Sequence, residues 1–120
     1  MRSVNAALPG PEREVLALLV ESGLGYDGIG QLLGIDRVGV ASIAARARLR
    51  LAGVEPPSRC RGHVAHLAAR IDGEDVASPD PLCASCPGLL EAMRAADAAY
   101  RAWEPGAMPA TVRSRIREDL

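Results

Sequence analysis

The stretch YDGIGQLLGI (residues 26–35), followed by Val40 and Ile43, has the spacing of two helices packed across a tight turn. Gly30 is small where the two helices must approach closely, and Gly34 supplies the left-handed backbone conformation that the turn requires. The apolar positions predicted to share the core between the helices are Ile29, Leu33, Ile35, Val40 and Ile43. We therefore predict a helix-turn-helix; the alternative is an ordinary helical hairpin with no role on DNA.

Further helices are predicted on both sides of this motif. Pro11 suits the first turn of a helix, and an amphipathic run follows it to about residue 22. The helices of the motif run over about 26–33 and 37–51. The stretch EPPS (residues 55–58) cannot continue a helix, because consecutive prolines hold the chain extended, so we place a domain boundary there.

Two pairs of potential metal ligands lie beyond this boundary, in CRGH (residues 60–63) and CASC (residues 83–86). Two residues between the members of a pair allow both side chains to reach one ion, and two pairs complete a closed tetrahedral site. The pattern predicts a structural Zn²⁺ site with four ligands: Cys60, His63, Cys83 and Cys86. His66, one helical step further on, is the alternative to His63 or a group that supports the ligands.

Two other interpretations of the same residues stay open. In one, Cys60 is a buried apolar residue, both histidines lie on the surface of a helix, and the remaining cysteines are only neighbours in sequence. In the other, Cys83 and Cys86 form a redox pair, since Cys86 lies just before a helix start, where a thiolate is stabilised.

The composition favours a metal over disulfide bonds. The 120 residues contain no Phe, one Trp and two Tyr, so the core must consist of Leu, Ile, Val and Ala, and a small chain with such a core usually needs a further constraint. Three cysteines are an odd number, and no secretion signal or membrane-spanning run is recognisable. We therefore expect a cytoplasmic protein that makes no contact with a membrane.

These observations together predict an all-α fold: a three-helix helix-turn-helix module followed by a zinc-stapled helical module. The helix-turn-helix domain is expected over 1–54 and the zinc-binding module over 55–104, with helices over about 62–71 and 87–103 and a polar loop over 72–82. Residues 105–120 are expected to form a charged tail or a terminal helix.

The residues around the motif follow a known pattern: Leu8-Pro9, Arg13-Glu14-Val15-Leu16, Gly23-Leu24-Gly25-Tyr26, Ile29, Leu32-Leu33-Gly34-Ile35, Val40, Ser42 and Arg46-Ala47-Arg48. Over about residues 8 to 51 the chain resembles region 4 of the extracytoplasmic-function sigma factors of bacteria. The resemblance implies that the third helix, the recognition helix, reads promoter DNA in the major groove. It also implies that the domain docks on the flap of RNA polymerase.

Few side chains of the recognition helix can hold DNA. Arg37, Ser42 and Arg46 can donate hydrogen bonds to bases or phosphates. Arg48 and Arg50 are the further residues predicted to contact phosphates. The family usually has Thr, Lys and Arg where this chain has Gly39, Ala41 and Ile43, and residues 1–62 carry only eight Arg against six acidic residues. The apolar character of this helix favours a protein partner.

The leading prediction is a transcriptional regulator that binds promoter DNA, RNA polymerase or both. The alternative is a protein-binding adaptor or an anti-sigma-like factor, whose recognition helix contacts a sigma factor or RNA polymerase instead of DNA. We predict neither an enzyme nor a small-molecule substrate, because the sequence shows no catalytic triad, phosphate loop or paired-carboxylate pocket, and a closed metal site has no open position.

Overall fold

The computed structural model of the chain describes residues 8–78 and 84–102, and all regular secondary structure in these two ranges is helical. The helices, numbered here in chain order, are α1 (Gly10–Val20), α2 (Tyr26–Leu33), α3 (Arg37–Ala52), α4 (Val64–Asp72) and α5 (Cys86–Ala102), with a 3-10 turn over Ser58–Cys60. The predicted all-α class is confirmed, and each helix lies close to its expected range. The predicted tail over 105–120 lies outside the described residues. None of the described helices is long and apolar enough to cross a membrane.

Glycine defines the turn between α2 and α3, as the sequence predicted. Gly34 ends α2 with a φ of 72°, and its N–H donates to the Gly30 carbonyl over 2.8 Å. A Cβ atom on Gly30 would lie 2.5 Å from the backbone oxygen of Ile35, so no larger residue fits there without a shift. Asp36 is the N-cap of α3, and its side chain accepts a 2.7 Å hydrogen bond from the Gly39 N–H.

Helix α3 lies at the centre of the fold and packs against α1, α2, α4 and α5. Its buried face is lined by small side chains, which let the neighbouring helices come close: Ala41, Ala44, Ala45 and Ala47. One hydrophobic cluster runs from Val15 on α1 through Val40 on α3 to Met93 on α5. The two predicted modules, 1–54 and 55–104, therefore share a core built around α3.

A buried ion-pair network connects α3 to the two helices that follow it. Arg48 donates to both carboxylate oxygens of Asp72, at 2.9 and 2.6 Å, and to Asp97 at 3.1 Å. The Tyr26 hydroxyl donates to the same Asp72 carboxylate. Burial lowers the pKa of Arg48, but the hydrogen bonds and charge of Asp72, together with the charge of Asp97, outweigh it and raise the pKa overall. The network thus keeps a guanidinium ion inside the core.

Candidate metal centre

Three of the four predicted zinc ligands converge in the structure. Cys60 ends the 3-10 turn, His63 directly precedes α4 and Cys86 is the first residue of α5. All three side chains are buried, and their ligand atoms lie within 4.8 Å of one another. His63 Nδ1 is 3.4 Å from Cys86 Sγ. The fourth predicted ligand, Cys83, lies outside the described residues.

Local backbone turns explain how Cys60 and His63 come to face one point. The Cys60 N–H donates to the Pro57 carbonyl and the His63 N–H donates to the Cys60 carbonyl, each over 2.9 Å. The i to i+3 pattern of a tight turn places residues three apart on the same side. The Leu67 N–H then donates to the His63 carbonyl and α4 continues. The spacing in CRGH (residues 60–63) therefore places both side chains of this pair on one side of a local turn.

The two histidines differ in environment. His63 is only 4% exposed and faces the cysteines, so the interpretation of both histidines as surface residues is wrong. His66 Nδ1 lies 2.7 Å from the Val76 carbonyl oxygen. Because a carbonyl oxygen can only accept a hydrogen bond, His66 Nδ1 is protonated and is the donor to the Val76 carbonyl. His66 instead connects α4 to the chain segment that follows it.

A polar contact that the sequence analysis missed joins the two ligand-bearing segments. Arg59, next to Cys60, donates a 2.9 Å hydrogen bond from Nη2 to the hydroxyl of Ser85, next to Cys86. The only signal in the sequence is that each residue adjoins a ligand. This contact supports the approach of the two segments from outside the centre.

The chemistry of the converging groups suits a metal ion. Two thiols and an imidazole are soft and borderline ligands, and together they occupy a site from which water is largely excluded. Burying such polar groups is unfavourable unless they are paired or bound to a cation. The described residues can therefore hold a metal ion between the 3-10 turn and the starts of α4 and α5.

The five residues predicted to contact DNA lie in different environments, and they do not form one accessible surface. Arg48 is 0% exposed and is held by Asp72 and Asp97, so its predicted role at a phosphate is wrong. The physical reason is that α4 and α5 close over the face of α3 that carries Arg48. Ala41 and Ala45 are buried on the same face.

Arg37 and Arg50 are at the surface but are paired with acidic residues of the same chain. Arg37 Nη2 lies 3.1 Å from Glu74 Oε1, and Arg37 Nη1 lies 3.7 Å from Asp27 Oδ2. Arg50 donates to both oxygens of Glu12, at 2.9 and 3.2 Å. A phosphate would have to compete with these carboxylates.

The remaining accessible row on α3 consists of Val38, Ser42 and Arg46, which we call the α3 face. These residues are four apart and so lie along one side of the helix. Val38 is 53% exposed, Ser42 is half-buried and Arg46 is exposed. Within residues 8–78 and 84–102, no carboxylate forms an ion pair with Arg46. Two predicted DNA contacts, Ser42 and Arg46, thus lie on an accessible surface.

Comparison with known proteins gives no relative from which to assign a family. No family model, no curated protein and no solved structure significantly matches this chain.

Proposed function

We propose that this chain is a non-enzymatic regulator that binds a protein of the transcription machinery, RNA polymerase or a sigma factor, through the exposed surface of its helix-turn-helix. The observation that carries the proposal is the state of the five side chains predicted to contact DNA. One of them, Arg48, is buried, and two others, Arg37 and Arg50, are paired with carboxylates of the chain itself. The resemblance to sigma region 4 suggests the kind of partner.

The charges at the start of α3 support this choice. The N-terminus of a recognition helix lies closest to the DNA. Here that end carries Asp36, which is exposed, and Asp27 of α2, whose side chain is 73% exposed, lies 3.7 Å from Arg37. Glu74 lies against Arg37 beside them. Carboxylates at this position repel phosphates and offset the positive charge of Arg37.

The apolar side chains that reach solvent support it as well. Leu32 and Val38 are the large apolar residues with the highest exposure in the described part of the chain, at 65% and 53%. Both belong to the helix-turn-helix, one on α2 and the other on α3. Single exposed apolar residues are common, but one on each helix of the same motif offers a partner protein two apolar contacts.

Binding assays with the full chain test the proposal. Immobilised chain is presented to purified core RNA polymerase and to purified sigma factors, and separately to labelled duplex DNA at low ionic strength. We expect binding to a protein and none to the duplex. L32D and V38D should each weaken protein binding at least about tenfold. A buried apolar side chain that contributes about 1.4 kcal/mol to the binding free energy corresponds to that factor.

The matched control for this test is A98D, which places the same charge at an exposed position of α5. It should bind as the unmodified chain does. Duplex binding that is retained in V38D, together with no binding to any transcription protein, would contradict the proposal.

Binding of promoter DNA is the second candidate function, and Arg46 is the observation in its favour. This arginine is exposed on the α3 face beside the hydroxyl of Ser42 and can contact a phosphate. In that case R46A should abolish the binding of labelled duplex and leave protein binding unchanged.

We also propose that the metal in the Cys60, His63 and Cys86 centre is zinc, with Cys83 as the fourth ligand. A Cys₃His set is characteristic of structural zinc, and the spacing of Cys83 from Cys86 repeats that of the first pair. Mass spectrometry of the intact native protein should show one zinc per chain. H63A should lose the metal whereas H66A should retain it, and equal retention in both variants would contradict the ligand assignment.

A further inference from the structure

The α3 face leads into an open groove of about 400 Å³ beside the metal centre. One wall is the C-terminal half of α3, and the other is the chain segment 54–64 that leads to Cys60 and His63. We call it the α3 groove. Its volume lies within the range of ligand pockets, roughly 300–1,000 Å³.

The floor of the α3 groove is apolar. Leu49 and Val64, both buried, and Val54, half-buried, form it. Ser42 adds one hydroxyl at the end that joins the α3 face. An apolar side chain placed here would leave water and gain about 25 cal/mol for each Å² that it buries.

The rim of the α3 groove is positively charged. Arg46, Arg50 and Arg61 stand around it, and the acid that lines it is Glu55. Glu55 lies 3.9 Å from Arg61, at the outer limit of an ion pair, and both side chains are largely exposed. Arg50 already binds Glu12, and a carboxylate from outside would have to compete with Glu55 for Arg61, whereas no carboxylate of the described residues forms an ion pair with Arg46.

From this geometry we infer that the α3 groove binds an acidic segment of the partner protein, with one apolar side chain on the floor and flanking carboxylates on Arg46 and Arg61. The inference rests on the proposed function and adds the chemistry of the partner. The guanidinium groups match carboxylates in geometry and charge. The continuous row from Val38 through Ser42 to Arg46 makes the α3 face and the groove one surface.

A nucleic acid fits this surface less well. A phosphodiester backbone offers nothing to the apolar floor formed by Leu49, Val54 and Val64. A protein segment that is both acidic and apolar complements the apolar floor as well as the arginines of the rim.

Amide chemical shifts of the isotopically labelled full chain test the inference. The probe is a short synthetic peptide with a leucine flanked by aspartates and glutamates. Its counterpart carries asparagine and glutamine at those positions. The acidic peptide should shift the amides of Val54 and Val64, and the shifts should weaken with added salt. The amide counterpart should bind much more weakly.

Charge reversal at the rim identifies the contacts. R46E and R61E should each weaken peptide binding about five- to tenfold, because each replaces an attraction at the surface by a repulsion. R94E, at an exposed position of α5, is the matched control and should bind as the unmodified chain does. Absence of shifts at millimolar peptide, or equal binding of the amide counterpart, would overturn the inference.

The assays with transcription proteins separate this inference from the proposed function. Protein binding that is lost in V38D but kept in R46E and R61E overturns the groove and leaves the proposed function standing. Peptide binding in the groove without binding to polymerase or sigma factor overturns the proposed function instead. If duplex DNA produces the same shifts in the unmodified chain but not in R46E, both the inference and the proposed function are overturned.

Discussion

Replacing Arg48 by methionine tests whether the buried ion-pair network holds the two halves of the fold together. R48M conserves most of the side-chain volume but removes the charge and the three hydrogen bonds to Asp72 and Asp97. Asp72, whose side chain is 3% exposed, then retains the Tyr26 hydroxyl as its partner in the network. Asp97 keeps Arg101 and contact with solvent.

The expected loss follows from these differences. Removing one partner of a buried pair costs about 3–5 kcal/mol, because the remaining charge is left uncompensated. Since Asp97 keeps another partner, we expect the lower end, about 3 kcal/mol in the free energy of unfolding. For a chain of this length that corresponds to a fall of about 10–15 °C in Tm.

Thermal and urea unfolding of the purified chain, followed by circular dichroism, provide the measurement. R46M, two residues away on the same helix but exposed, is the control and should stay within about 0.5 kcal/mol. The double variant R48M/D72N should recover about 1–2 kcal/mol relative to the sum of the single effects. A loss below about 1 kcal/mol for R48M, or one equal to that of R46M, would refute the reasoning.

Three further results are expected. G30A should cost about 1–3 kcal/mol, because its Cβ would lie 2.5 Å from a backbone oxygen. G62A, whose Cβ meets nothing within 4 Å, should be nearly neutral in the same urea titration. Burial, and then the hydrogen bond to the Asp72 carboxylate, raise the pKa of Tyr26 above its ordinary value of 10.0. The stability contributed by the neutral Tyr26 hydroxyl should therefore be fully present below pH 10 and be lost as the pH rises above it. The free energy of unfolding of Y26F should fall less steeply over the same pH range. With the proposed zinc as a structural ion, a chelator or the variant C60S should lower Tm markedly, and an unchanged melting curve would contradict that role.

The features that could be predicted from the sequence are those decided over a few residues. The turn at Gly34 depends on one backbone conformation, and the close approach at Gly30 depends on the residue five positions later. The pairing of Cys60 with His63 follows from a single tight turn. Each of these patterns carries its own geometric reason, so no knowledge of the remaining fold was needed.

The roles of the arginines could not be read in the same way, because they depend on residues far along the chain. Arg48 meets Asp72 and Asp97, which lie 24 and 49 positions away. One signal was nevertheless present: Ala41, Ala44 and Arg48 recur at helical spacing on a single face. An arginine on a face of small residues indicates a helix covered on that side, with acidic partners on the covering elements.

The alanine-lined surface of α3 has a consequence for how the protein tolerates substitution. Proteins with aromatic cores lose most stability when a large side chain is truncated, since a cavity remains. Here the neighbouring helices are held close by the absence of bulk at Ala41, Ala44, Ala45 and Ala47. Added volume at any of these positions would push α1, α4 or α5 outward, and with them His63 and Cys86 at the starts of α4 and α5. A mutational scan should therefore find the centre of this protein more sensitive to enlargement than to truncation.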